Sequence, residues 1–145
     1  MIGLLQRVTE ASVTVGSEVV ASIGPGLLVF IAVRDRDTAA DARRLTERIL
    51  GYRVFADDAG RMNRSLTDLG LELLLVPQFT LAADTRKGRR ASFTGAAAAH
   101  RGREFFDLML AMCRERTPRV ASGIFGADMK VALINDGPVT FWLES

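Results

Sequence analysis

The sequence predicts an α+β fold: a single layered domain over residues 1–145, with a mostly antiparallel, barrel-like sheet and two main helices. Two observations lead to this fold class. Strand-like segments cluster at both ends of the chain, and two segments with helical spacing lie between them. No repeat, linker or low-complexity tract divides the 145 residues, which are enough to build one hydrophobic core.

The N-terminal part of the chain predicts four strands. Residues 2–8 form the first, and residues 12–15 and 19–21 flank a Gly-Ser turn as the two arms of a hairpin would. A Gly-Pro-Gly turn then precedes residues 27–33, a fully apolar run of the kind found in buried strands.

Two helices are predicted between the strand-rich ends. Thr38, with Asp41 three residues later, is typical of the capping box that starts a helix. The second helix is predicted over residues 96–116, where apolar side chains recur at helical spacing. These side chains are Phe105, Phe106, Met109, Leu110 and Cys113.

The remaining strands are predicted at residues 52–55, 71–76, 129–134 and 139–143. Asp136-Gly137 is a common signal for a tight hairpin turn, but Pro138 follows it at once. Proline has no N–H for a sheet ladder, so it belongs at a strand's first residue, at an edge or at a bulge. A proline directly after this turn signal therefore needs an explanation beyond turn formation.

Composition excludes several kinds of chemistry. The only histidine, His100, and the only cysteine, Cys113, are too few for a metal cluster of His and Cys ligands. On one helix they would lie about 140° apart around the axis, so they cannot form a catalytic pair, and we interpret His100 as a surface residue. Phosphate-binding glycine motifs are absent. We therefore expect an enzyme without metal or cofactor, if the chain is an enzyme.

The expected location is the cytoplasm. A single cysteine cannot form an intrachain disulfide, which fits a reducing compartment. The longest apolar run, residues 26–33, is too short to span a membrane. The net charge is only +2, but the sequence pI of about 9.2 leaves a polyanionic partner open without requiring one.

Two stretches remain as candidate sites. After the apolar strand that ends near Pro77, Gln78 and Thr80 would face the same side in an extended chain and offer an amide and a hydroxyl. Four cations follow within five residues, and we predict that they contact phosphates. They are Arg86, Lys87, Arg89 and Arg90. The alternatives are a plain strand-to-loop transition and a solvated loop.

Three separated motifs resemble the D-aminoacyl-tRNA deacylase family. They are Gln6-Arg7-Val8, the run from Gln78 to Asp84 (QFTLAAD) and the run from Asn135 to Thr140 (NDGPVT), and the resemblance extends over the whole chain. It implies a cytoplasmic homodimer that hydrolyses the ester between a D-amino acid and the 3′ end of tRNA. Glycine mischarged on the alanine tRNA would be a further substrate, and no metal or cofactor would be used.

The resemblance also implies roles for individual residues. The Gly137-Pro138 peptide would be cis and would enter the active site of the other subunit. There its carbonyls would hold the substrate's amino group and exclude an L side chain. Arg7 would brace this corner across the dimer, and Phe125 and Met129 would line the pocket of the terminal adenine. The alternative for Phe125 and Met129 is ordinary core packing.

The chemistry follows from the absence of a general base. Backbone N–H groups around Phe79 and Thr80 suit a tetrahedral oxyanion. A threonine hydroxyl without an adjacent base is a poor nucleophile. The resemblance implies substrate-assisted chemistry, in which the ribose 2′-hydroxyl is the better candidate for activating water. Thr80 and Gln78 would then position the reacting groups, with a direct role for Thr80 left open.

Pro77 departs from the family, whose members generally carry serine there. A relaxed-specificity paralogue that acts on L-threonyl-tRNA resembles this chain at that position. A non-catalytic nucleic-acid-binding module, supported by the basic residues alone, is the other alternative.

Overall fold

A computed structural model describes residues 1–145. It contains a six-stranded sheet, a separate two-stranded sheet, three α-helices and one 3₁₀ turn. The elements in chain order are β1 (Ile2–Val15), β2 (Glu18–Ile23), β3 (Gly26–Ala32), α1 (Ala39–Gly51), β4 (Phe55–Ala56), β5 (Met62–Arg64), α2 (Leu66–Leu69), β6 (Glu72–Pro77), the 3₁₀ turn (Phe79–Ala82), α3 (Ala99–Arg116), β7 (Val120–Ser122) and β8 (Met129–Glu144). The predicted α+β fold class with two main helices is confirmed.

Strand β1 organises the sheet. Its first half pairs with β3 and its second half with β2, both antiparallel, while β8 runs along its whole length on the other side. Leu5, for example, lies between Val29 of β3 and Phe141 of β8. The prediction of two separate strands at residues 2–8 and 12–15 is wrong, because one strand spans both and only its partner changes.

Two parallel pairings extend the sheet: β3 pairs with β6, and β6 pairs with β7. Each parallel pairing needs a crossover, and α1 and α3 lie in the two crossover connections. Strands β3 and β6 approach closely at Gly26, where an added Cβ would lie 1.9 Å from the carbonyl oxygen of Glu72. Only glycine fits there. Strand β2 lies against β6 and β7, so the sheet is nearly closed into a barrel.

The two faces of the sheet bury separate cores. Because side chains alternate along a strand, β3 and β6 contribute to both. Leu27 and Leu73 belong to the larger core with α1 and α3, whereas Leu28 and Leu74 face a smaller one inside the curved sheet. Truncating a fully buried leucine such as Leu73 to alanine costs about 2–5 kcal/mol.

The helices follow their sequence signals. Thr38 caps α1 through its hydroxyl, and Asp41 completes the capping box, as predicted. Helix α3 begins at Ala99 rather than at residue 96, because residues 95–97 are tied to the end of β3 instead. The strand predicted at residues 52–55 shrinks to Phe55–Ala56, since Tyr52 is the C-cap residue of α1.

The C-terminal strand is continuous where the sequence suggested a turn. Strand β8 passes through Asp136-Gly137, and the two predicted strands at residues 129–134 and 139–143 are one. Between Gln6 and Val8 of β1, the register on β8 moves from Thr140 to Asn135. The residues between these two partners therefore bulge out of the ladder, which is a place where proline is tolerated.

Candidate active site

The first part of the site lies where β6 ends. The N–H of Gln78 still donates to the carbonyl oxygen of Ile31 at 2.7 Å, and the chain then forms the 3₁₀ turn. The extended geometry expected for Gln78 and Thr80 is wrong, because Thr80 lies within this turn. The turn nevertheless brings the two side chains together, with Gln78 Nε2 donating to Thr80 Oγ1 at 2.5 Å. Phe79 projects outward and is 57% exposed.

Two cavities meet at this turn. The smaller, of about 320 Å³, is lined by Pro77, Gln78 and Phe79 on one side and by Phe125 and Met129 on the other. The larger, of about 510 Å³, lies between the turn and the start of α3 and shares Pro77, Gln78, Phe79 and Phe125. The structure therefore brings together four of the predicted site residues: Gln78, Phe79, Phe125 and Met129.

Phe125 is fixed by its neighbours. The guanidinium of Arg103 lies 5.1 Å from its ring centroid, and Arg103 Nη2 donates to its carbonyl oxygen at 3.1 Å. Its ring also packs against Phe106 of α3, with the centroids 6.5 Å apart. Met129, which lines the same cavity, accepts a hydrogen bond at its Sδ from the N–H of Ile124 at 3.3 Å. Phe125 and Met129 are only half-buried, so both present surface to the cavity.

The second part of the site is the bulge of β8, which we call the corner (Asp136–Pro138). The Gly137-Pro138 peptide is cis. Asn135 spans the corner, since its Nδ2 donates to the carbonyl oxygen of Val139 at 3.0 Å and its Oδ1 accepts from the N–H of Val139 at 3.1 Å. Gly137 has φ +128, and an added Cβ would lie 2.7 Å from Val139 Cγ2, so both the backbone and the space require glycine.

Arg7 anchors the corner to the sheet. Its Nη1 donates to the carbonyl oxygen of Val54 at 2.6 Å, and its Nε donates to the carbonyl oxygen of Asp136 at 3.2 Å. The same Nε forms an ion pair with the Asp136 carboxylate at 3.1 Å. The resemblance implied that Arg7 braces the neighbouring subunit's corner, but in this chain Arg7 contacts its own.

The corner and the 3₁₀ turn do not share a cavity within one chain. Neither Arg7 nor any residue of Asn135–Pro138 lines the cavities beside Phe79. All three corner residues are exposed. The single chain thus presents two separate halves of the predicted site.

The basic loop (residues 84–92) adjoins the turn. A pair of backbone hydrogen bonds between Asp84 and Ser92, of 2.7 and 3.0 Å, closes its base. Arg86 forms a bidentate ion pair with Asp84, and these hydrogen bonds hold the pKa of the Asp84 carboxyl well below its usual range. Arg86, Lys87 and Arg90 line a cavity of about 380 Å³. Arg89 is exposed but does not line this cavity.

His100 and Cys113, the two residues excluded as a catalytic pair, line neither of the two cavities. His100 is exposed on the first turn of α3, which confirms its interpretation as a surface residue. Cys113 is fully buried in the larger core, and burial raises the pKa of its thiol to about 12. No three His, Cys, Asp or Glu side chains lie close enough to hold a metal ion. None of the helices is both long enough and apolar enough to cross a membrane.

Comparison with known proteins gives the family. A family model described as D-Tyr-tRNA(Tyr) deacylase matches residues 4–144. The chain belongs to this family. The D-aminoacyl-tRNA deacylase of Thioalkalivibrio sulfidiphilus is 64% identical, with 99% of this chain and 97% of that protein covered. The D-aminoacyl-tRNA deacylase of Alkalilimnicola ehrlichii is 62% identical, with 100% of this chain and 97% of that protein covered.

Solved structures show the same fold. One described as a c-Myc DNA Unwinding Element Binding Protein superposes with a TM-score of 0.95 at 38% identity, covering 100% of this chain and 99% of that one. Another, described as a probable eukaryotic D-amino acid tRNA deacylase, has a TM-score of 0.88 at 21% identity and covers 99% of this chain and 98% of that one.

The structure adds three residues that were not predicted as site residues. Asn135 holds the corner, Arg103 holds Phe125, and Phe93 packs against Phe79 with ring centroids 5.2 Å apart. Asn135 had a sequence signal, because it opens the motif that contains the corner. The only sequence feature of Phe93 was that it is an aromatic residue in a polar loop. Nothing in the sequence around Arg103 indicated a role.

Proposed function

We propose that this chain, a hydrolase of the deacylase family, cleaves the ester of D-aminoacyl-tRNA in a site completed by two subunits. The 3₁₀ turn and its cavities would come from one subunit and the corner from the other. The observation that carries this proposal is the separation of the two halves in a single chain, where the exposed corner lines neither cavity.

The corner suits a filter for chirality. Asn135, Val139 and Arg7 fix the direction of its main-chain carbonyls, which can accept hydrogen bonds from the substrate's ammonium group. A filter made of backbone has no side chain that rotates away, so it excludes an L side chain by steric conflict. Glycine has no side chain and would pass the same filter. Alanine tRNA mischarged with glycine would therefore be a second substrate.

The chemistry would rely on the RNA. The Thr80 hydroxyl is engaged by the Gln78 amide and has no general base beside it, while His100 and Cys113 lie elsewhere. The ribose 2′-hydroxyl would activate a water molecule, whose oxygen attacks the carbonyl carbon, and the 3′ oxygen would leave with a proton. The N–H groups of Phe79 and Thr80 open the 3₁₀ turn and would receive the oxyanion.

A deacylation assay tests the activity and its chemistry together. D-tyrosyl-tRNA should be hydrolysed and L-tyrosyl-tRNA should survive, whereas a tRNA that ends in 2′-deoxyadenosine should react more than a hundredfold more slowly. Full activity on the deoxy substrate would contradict the role of the 2′-hydroxyl.

Two other functions have specific support. Pro77 favours the paralogue that acts on L-threonyl-tRNA, and hydrolysis of that ester at a rate similar to the D-tyrosyl ester would identify it. The cavity of basic side chains favours a non-catalytic nucleic-acid-binding module, which would bind tRNA and leave every ester intact.

Mixing inactive variants tests the shared site. If the corner serves the partner's cavities, a Gly137→Ala subunit and a Gln78→Ala subunit form one intact and one doubly defective site. Subunit exchange should then restore about a quarter of wild-type activity, because half of the dimers are mixed and half of their sites are intact.

The matched control is a mixture of Gly137→Ala and Arg7→Ala. Both changes affect the same corner of the same chain, so every corner in a mixed dimer carries a defect and no activity should return. Recovery in this control, or none in the first mixture once mixed dimers are demonstrated, would overturn the arrangement. The homodimer and the cytoplasmic location are themselves predictions of the sequence.

A further inference from the structure

Two exposed aromatic rings stand beside the proposed reaction centre. Phe79 is 57% exposed and Phe93 is 42% exposed. Their ring centroids lie 5.2 Å apart with the planes inclined by 51°, so the pair forms one angled apolar surface. Large apolar side chains that cluster on a surface mark binding sites more often than isolated ones do.

The surface formed by Phe79 and Phe93 is one wall of the larger cavity. Ile31, Val33 and Phe106 line the cavity of about 510 Å³ together with an unbroken run of alanines at residues 96–99. Gln78 is the one lining residue with a polar side chain. The volume lies within the range of roughly 300–1,000 Å³ that small-molecule sites occupy.

The cavity has a fixed wall rather than a loose flap. The N–H of Ala97 donates to the carbonyl oxygen of Val33 at 3.0 Å, and the N–H of Asp35 donates to the carbonyl oxygen of Gly95 at 3.1 Å. These bonds hold the alanine run against the end of β3. A planar group of nucleobase size can therefore enter a preformed space.

The basic loop continues directly from this surface. The backbone bonds between Asp84 and Ser92 close the loop, and Phe93 is the next residue. Ser92 also lines the cavity that contains Lys87 and Arg90. An aromatic surface next to positive charge is the arrangement that binds single-stranded nucleic acid, because rings stack on bases and cations contact phosphates.

We infer that the cavity beside Phe79 and Phe93 binds the unpaired nucleotide that precedes the terminal adenosine of the tRNA. Its base would stack against Phe93, and its phosphate would point toward Lys87 and Arg90. The inference rests on the proposed function, in which the smaller cavity beside Phe125 and Met129 receives the terminal adenosine. The two cavities share Phe79 and Phe125, so adjacent nucleotides can occupy them in sequence.

A pair of minimal substrates tests this inference. In the wild-type protein, kcat/KM for D-tyrosyl cytidylyl-adenosine should exceed that for D-tyrosyl adenosine by about tenfold, the effect of one base stacked on an aromatic ring. In Phe93→Ala this ratio should fall toward one, and Phe93→Tyr should restore it. Val19→Ala, which shortens an exposed apolar side chain on β2, is the matched control and should keep the wild-type ratio.

Three results would overturn the inference. They are a wild-type ratio near one, a ratio that survives in Phe93→Ala, and an equal loss on both esters in Phe93→Ala. The last would place the amino-acid side chain or the terminal adenosine in this cavity. Hydrolysis of neither ester by the wild-type protein would instead contradict the proposed function.

A binding measurement tests the inference even if the wild-type protein hydrolyses neither ester. The probe is a short RNA that carries no amino acid and has 2-aminopurine before its terminal adenosine. Its fluorescence should fall on binding, because the 2-aminopurine base stacks on Phe93. Phe93→Ala should abolish the quenching and Val19→Ala should preserve it. Equal quenching by Phe93→Ala and the wild-type protein would exclude a base at this position.

Discussion

The corner and the basic loop are both exposed, yet they are held in opposite ways. At the corner, two side chains fix the backbone: Asn135 spans the bulge, and Arg7 ties Asp136 to Val54. The basic loop is closed only at its base, and four cations extend from it into solvent. The corner is thus built for defined geometry, whereas the loop supplies charge.

This difference indicates a division of labour. Selection between mirror-image substrates requires carbonyl oxygens placed within fractions of an ångström, and backbone in a braced bulge provides that. Attraction of a polyanion requires positive charge, which acts over about 8–10 Å in physiological salt and tolerates movement. Changes at the corner should therefore alter catalysis, and changes in the loop should alter binding.

The largest expected effect comes from exchanging a glycine in each region. Gly137→Ala should lower kcat/KM for D-tyrosyl-tRNA by about a thousandfold, because its Cβ would meet Val139 Cγ2 at 2.7 Å and Arg7 Nη2 at 3.1 Å. Gly88→Ala in the loop is the matched control, since Gly88 also has a positive φ but no atom within 4 Å of an added Cβ. Deacylation kinetics and thermal unfolding of both variants would check this. Equal losses would mean that the corner is not geometrically special.

The next effect compares two arginines. Arg7→Ala should reduce activity by about thirtyfold, because it removes a half-buried guanidinium that joins two backbone carbonyls. Arg7→Lys should recover little, since one ammonium cannot reproduce the planar fork. Arg86→Ala should change activity less than threefold, because Arg86 is largely exposed and already paired with Asp84. A greater loss at Arg86 than at Arg7 would reverse the proposed roles.

A smaller effect is expected when the loop loses its charge. Replacing Arg86, Lys87, Arg89 and Arg90 with alanine should weaken tRNA binding at low salt and leave kcat nearly unchanged. Each lost phosphate contact should reduce the slope of log binding constant against log salt by about 0.7–0.9. Filter binding over a salt series measures the slope. If it does not change, the loop is solvated and makes no phosphate contact.

The smallest effect on activity is expected for the residues outside both regions. Cys113→Ala and His100→Ala should retain near-normal deacylation, although Cys113→Ala should lose about 1 kcal/mol of stability because the thiol fills core space. A thousandfold loss of activity in either folded variant would overturn a mechanism without protein nucleophile or base.

Cys113 also predicts a pH dependence of stability. Burial raises the pKa of its thiol from 9.0 to about 12 in the folded protein. The neutral thiol is therefore favoured by folding, and its contribution is complete below pH 9 and is lost as the pH rises toward 12. Urea unfolding at pH 8 and pH 10.5 should show the stability advantage of the wild type over Cys113→Ala shrinking at the higher pH. An advantage independent of pH would contradict this linkage.

Local sequence signals predicted the parts of the fold that depend on neighbouring residues. The capping box of Thr38 and Asp41, the hairpin of β1 with β2 and the buried strand that ends at Pro77 depend on such signals, and the structure contains them. The continuous strands β1 and β8 depend on pairing between distant segments. A turn signal at Asp136-Gly137 produced a bulge instead of a hairpin, because the segments on both sides of it pair with β1, and a local pattern cannot reveal that pairing.

The candidate site divides in the same way. Motif residues such as Gln78, Phe79 and Gly137 could be named from the sequence, and the structure brings Gln78 and Phe79 together with Phe125 and Met129. The 3₁₀ turn was missed because a polar pair two residues apart also fits an extended chain. Phe93 was missed because its partner is fourteen residues away along the chain and adjacent only in space.

The bulge in β8 also bears on solubility. Within this chain β8 pairs only with β1, so one edge of a sixteen-residue strand has no partner strand. A long regular edge is a template on which further chains can add, and natural proteins interrupt such edges with bulges, prolines and charges. The corner breaks the edge near its middle with a proline that offers no N–H, and Lys130, Asp136 and Glu144 place charge along it. The feature that we assign to chiral discrimination is thus also of the kind that natural proteins use to keep a strand edge from pairing with further chains.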